Sequence, residues 1–85
     1  MKATINRKLF LAQALPLIDS GKVTVMLHAS VLSVASFGNT INFRVPASVV
    51  DPGQVFLSAE KWQELVRTIE ASEDLNIVLE IQPED

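Results

Sequence analysis

His28 is the one histidine of the chain, and as a general base it would need an orienting carboxylate and a nucleophile brought beside it. Its sequence neighbours Leu27 and Ala29 supply neither. A small hydrolase built on His28 is one functional reading; a histidine on the solvent side of a strand is the plainer one. Carboxylates are the other candidate chemistry. Glu60, Glu64, Glu70, Glu73 and Asp74 crowd into one stretch, and Glu60 and Glu64 share a helical face. Lys61, Glu64 and Arg67 follow at spacings of three, the pattern of a solvated charged surface rather than a paired-carboxylate centre. An oxygen-ligand metal site would need further carboxylates from other segments. No serine stands in a G-x-S-x-G context, and Gly21, Gly38 and Gly53 are isolated turn glycines that form no phosphate loop. With no cysteine, disulfides and thiolate metal sites are excluded. No catalytic residue, metal or cofactor is expected.

The chain has 85 residues, enough for one domain over 1–85. Such a chain buries only roughly 60–65% of its unfolded surface, so its stability is marginal. Hydrophobic residues make up 48%, which favours a packed fold over disorder. The formal charge is −3, with acids and bases mixed and no basic arm for nucleic acid or membrane. The apolar run at 9–18 is too short to span a bilayer and contains Pro16. Basic residues precede it, yet it lacks a small-x-small cleavage site, so it reads as structure rather than as a signal peptide. Absence of cysteine fits a cytoplasmic location.

Hydrophobic spacing predicts the elements. Residues 2–5 alternate as a first strand, and Asn6 caps a helix from Arg7 that Pro16 ends near Leu15. Val23, Val25 and Leu27 alternate with Thr24, Met26 and His28 in a second strand, and a third runs from Val31 to Phe37. Gly38-Asn39 is a hairpin turn leading into a strand whose Ile41, Phe43 and Val45 face inward. Pro46 closes that strand, Asp51-Pro52-Gly53 turns, and Val55 to Leu57 is a short strand. Ser58 caps a helix from Ala59 to Ser72, with Trp62, Leu65, Val66 and Ile69 on its apolar face. A last strand covers 76–82, with Ile77, Leu79 and Ile81 inward. The order is β-α-β-β-β-β-α-β: an α+β fold, an antiparallel sheet with two helices on one face. A strand leading through a capping Asn or Ser into a helix opens each half, which suggests an internal duplication.

The stretch VPASVVDPGQVFLSAEKWQELVR at 45–67, with MKATINRKLFLAQAL at the start, resembles a domain of the bacterial sliding clamp, the DNA polymerase III beta subunit. The similarity lies in Val45-Pro46-Ala47, then Pro52-Gly53-Gln54-Val55, then Leu57-Ser58-Ala59-Glu60-Lys61 and Leu65-Val66-Arg67. The resemblance implies a non-catalytic ring that encircles DNA, sheets outside and helices lining the hole, with replication proteins as clients. A clamp subunit carries three such domains, and this chain has one that stops soon after Ile81, where the family continues with another hairpin. The clamp's peptide pocket is built between other domains, so none of its residues transfers.

The first helix is apolar nearly all round, which implies a partner. Phe10 and Leu11 cannot both point into one small core, so with Leu15 they are interface candidates, as is Val78 on the outer face of the last strand. Arg7, Lys8, Lys61 and Arg67 are the residues that would face DNA, although the acidic second helix opposes phosphate contact. Trp62, in register with Leu65, Val66 and Ile69, reads as core, with an interface anchor as the alternative. Expected partners are a second copy of the chain, in a homo-oligomer, and replication proteins; the alternative is a small regulator that docks on another protein without touching DNA.

Overall fold

Alternation writes the sheet. In the computed structural model, which describes residues 1–36 and 41–82, six strands form one antiparallel sheet in the order β5-β2-β3-β4-β1-β6. The elements run β1 (Lys2–Asn6), α1 (Arg7–Ala14), a 3-10 turn (Leu15–Leu17), β2 (Val23–His28), β3 (Val31–Ser36), β4 (Ile41–Asp51), β5 (Gly53–Leu57), α2 (Ala59–Ala71) and β6 (Asn76–Glu80). This is the expected order, in a mixed α+β fold. The expected Gly38-Asn39 hairpin and the end of the third strand at Phe37 lie outside the described residues.

Both helices start where a side chain satisfies an orphan amide. Asn6 Oδ1 accepts from the Leu9 amide at 3.0 Å, and Ser58 Oγ from the Lys61 amide at 3.2 Å. Each such cap is worth about 1 kcal/mol. Pro16 ends α1 as expected, and the chain tightens into the 3-10 turn instead of leaving the helix. Arg7 closes the far end of α2. Its Nε donates to the Ile69 carbonyl at 3.0 Å and its Nη2 to the Glu70 carbonyl at 2.7 Å, placing a cation on the negative end of the helix dipole.

Pro46 does not close its strand. β4 continues for eleven residues and changes partners at Pro46: Val31 to Ala35 of β3 pair with its first half, and β1 with Ala47 to Asp51. The missing amide of proline falls where the strand passes from one ladder to the next, and the Ala47 amide caps the hairpin by donating to the Ser30 carbonyl at 2.9 Å. Only Pro52 separates β4 from β5, yet β3 and β2 lie between them in the sheet. Three inter-strand spacings are about 14 Å, and two Cα steps reach at most about 7.6 Å. The sheet therefore curls. Gly53 does not use positive φ here; a Cβ at that position would stand 3.3 Å from the Met1 Cβ, so it is the close approach of the chain start that favours glycine.

The curl gives the helices one concave face to fill, and both enter a single core with the inward residues of every strand. Phe10 sits edge-on to Phe43 and Trp62, with ring centroids 6.0 and 6.1 Å away. Trp62 is fully buried, and its Nε1 donates to the Leu17 carbonyl at 2.9 Å, tying α2 to the turn after α1. The expectation that Phe10 and Leu11 could not share one core is corrected: they are 1% and 8% exposed. Ala14 is buried too, Leu15, Leu17 and Ile18 are half-buried against the same core, and only Leu9 among the large apolar residues of α1 is exposed. Helix α1 thus finds its cover inside the chain because α2 and the curled sheet flank it together.

Candidate functional site

The residues that could do chemistry are spread apart. His28 is exposed on the convex face of β2, opposite Val31 in the ladder, as its alternation predicts. Among the described residues no three histidine or carboxylate side chains converge as metal ligands. Of the four cations that would face DNA, Arg7 donates through Nε and Nη2 to the Ile69 and Glu70 carbonyls of α2. Arg67 is ion-paired to Glu70 at 3.2 Å. Lys61 stands beside Glu64 on the rim of a cleft, and Lys8 is exposed on α1. Three of the four therefore have an acid or carbonyl oxygens close by.

What the fold does present is two open strand edges. Among the described residues β5 is paired only by β2, and β6 only by β1. In β5, Val55 and Leu57 enter the core, so the period of two turns Phe56 outward, where it is 69% exposed. In β6, Leu79 is buried and Val78 is 60% exposed on the outer face. Leu75, just before β6, is exposed as well. Val78 was recognisable as an apolar residue on a polar face. Phe56 was not, although the same alternation that buries Val55 and Leu57 marks it.

Sheet edges in proteins that stay monomeric are commonly guarded by lysine, proline or a bulge within the strand. Neither edge is guarded in that way. β5 reads Gly-Gln-Val-Phe-Leu with no charge, and β6 reads Asn-Ile-Val-Leu-Glu with one charge at its end. Between the end of β5, the exposed flank of α2 and the residues following β6 lies a cleft of about 430 Å³. Leu57, Leu65 and Ile81 give it an apolar floor, and Lys61, Glu64, Thr68 and Glu80 a mixed polar rim.

No protein-family model matches the chain, nor does any curated protein or solved structure. The fold offers backbone hydrogen-bonding groups along two unguarded edges, each with a large apolar side chain beside it. Such an arrangement can accept another strand, and among the described residues no three His, Asp or Glu side chains converge that could hold a metal ion.

Proposed function

We propose that this protein is a non-enzymatic assembly module that self-associates through the open edges of its curled sheet. The observation that carries the reading is the pair of unguarded edges, with Phe56 and Val78 exposed on them. Pairing satisfies the outward amides and carbonyls and removes apolar surface from water at about 25 cal/mol per Å². The core covers the apolar face of helix α1, so the surface left to pair is that of the sheet.

The link to a replication clamp is part of the proposal and rests on the motifs at 45–67. Support for it comes from the order of elements: β1-α1-β2 and β5-α2-β6 are two strand–cap–helix–strand units, each entering its helix through a side-chain cap. In this reading the module assembles with copies of itself and presents that assembly to replication proteins. It makes no phosphate contacts through Arg7 or Arg67, which other groups occupy. No helix of the described residues is long and apolar enough to cross a membrane.

Light scattering on a sizing column, across a range of protein concentration, tests the reading. A mass above the 9.3 kDa of one chain supports it. A mass of one chain at every concentration refutes self-association. Binding to duplex DNA at low salt is the companion assay, with no sequence-independent binding expected.

A further inference from the structure

Charge is distributed unevenly over the outer face of the sheet. β5, β2 and β3 contain no lysine, arginine, aspartate or glutamate, whereas β1 carries Lys2, β4 Arg44 and Asp51, and β6 Glu80. Because β4 passes from β3 to β1 at Pro46, the three uncharged strands lie together on one flank of the curl. An antiparallel sheet with one wet face ordinarily turns polar residues to water. On this flank the wet face instead exposes Met26 and Phe56, at 36% and 69%. Loss of charge together with methionine and aromatic side chains is the composition that marks the centre of a protein interface.

We infer that this flank is a contact surface separate from the sheet edges, on which two copies of the chain pack face to face about a two-fold axis along β2. The registers place Phe56 and Ala35 on either side of Thr24, and Gln54 and Ser33 on either side of Met26. An axis along β2 lays β5 of one copy over β3 of the other. Phe56 then covers the small Ala35 of the other copy, the Gln54 amide reaches the Ser33 hydroxyl, and Met26 meets Met26. Large stands over small and donor over acceptor, the self-complementarity that a two-fold contact requires. A charge buried on this flank would find no counter-ion, so whatever covers it must be uncharged over the same footprint. A second copy meets that condition with the same face. Three strands of this length make a patch of about 14 by 20 Å. Two copies together bury on the order of 1,000 Å², the weak end of specific interfaces, so the dimer is reversible and forms at high protein concentration. Arg44, opposite Ser33 on β4, falls at the rim, where water still reaches it. The backbone edges stay free in this contact, so it neither requires nor prevents the edge pairing proposed above.

The chain has no cysteine, so a single introduced thiol reports the contact directly. Met26→Cys places a thiol on the axis, and Val50→Cys places one at a site that is 71% exposed but lies off the uncharged flank. Packed sheets lie about 10 Å apart, within reach of a short bismaleimide. Met26 sits on an interior strand, so edge pairing alone leaves it far from its copy. Met26→Cys is expected to cross-link into a dimer at least tenfold faster than Val50→Cys at the same protein concentration. Equal rates overturn the face contact, whatever the mass of the wild-type protein. Sedimentation equilibrium is the second readout, in a Val78→Lys background that blocks the β6 edge. Val78→Lys is expected to reach twice the 9.3 kDa of one chain, and addition of Met26→Lys to weaken that association at least tenfold by setting two cations together. A Val78→Lys protein that is monomeric throughout overturns the inference, as does a double variant that associates as well as the single one. Should Met26→Lys unfold, which its melting temperature reports, the two thiol variants still decide. Wild-type protein that assembles while both readouts fail leaves the edge pairing standing and removes only the face contact.

Discussion

Arg7 makes long-range contacts that its sequence neighbours do not announce. Beside Lys8 at a helix start it reads as a phosphate contact, whereas its guanidinium donates to the Ile69 and Glu70 carbonyls across sixty-odd residues of chain. Hydrogen bonds to a charged donor contribute roughly 1.5–3 kcal/mol, and helix-terminus cations add a few tenths more. Arg7→Met is therefore expected to lower unfolding stability by about 1–3 kcal/mol in urea, followed by the fluorescence of the single Trp62, while the exposed Lys8→Met changes it by under about 0.5 kcal/mol. Equal stability of the two variants would show that the Arg7 bonds contribute nothing. The turn between β2 and β3 is the second residue-scale finding. Ala29 and Ser30 hold φ of 51° and 64°, a hairpin geometry that glycine adopts with no Cβ to clash and asparagine tolerates through local side-chain hydrogen bonding. Replacing the pair by Asn-Gly is expected to stabilise the protein by about 1–2 kcal/mol, a rise of roughly 4–8 °C in Tm per kcal/mol. A melting temperature that falls instead would contradict the turn geometry. Nothing in the residue types announces this turn, because Ala-Ser carries no turn signal of its own.

The elements were legible where their cause is local. Asn6 and Ser58 cap their helices as the sequence implies, Pro16 ends α1, and period-two alternation sets the inward face of every strand. Contacts between distant segments were not legible. Pro46 looks like a strand end because proline lacks an amide, but the strand changes partners there and continues. Gly53 looks like a turn glycine, and it is the distant Met1 that crowds it. Helix α1 looks over-apolar because its sequence does not say that a curled sheet and α2 will cover it from two sides. Phe10 makes the consequence measurable. Phe10→Ala empties the space between Phe43 and Trp62 and is expected to cost about 3–5 kcal/mol of monomer stability, independent of protein concentration. Were Phe10 an interface anchor, the same change would leave monomer stability intact and alter only the assembled mass. Val78→Lys is expected to show the opposite pattern, with stability within about 0.5 kcal/mol of wild type and assembly lost.

For the whole molecule, one curled sheet holds its helices in the concavity and, among the described residues, leaves β5 and β6 unpaired on one side, with Glu80 the one charge within the two strands. The proposed assembly has a physical route in the open edges that needs no basic surface. Its length and charge alone would suit many small α+β proteins; the unguarded edges are the feature that separates this one. The most direct test of the central claim is amide hydrogen exchange read residue by residue at low and high protein concentration. If the edges pair between copies, the outward amides of Gly53–Leu57 and Asn76–Glu80 become protected together as concentration rises, while those of the inner strands do not change. If both sets exchange at the same fast rate at every concentration, the edges are free in solution and the proposed assembly does not form.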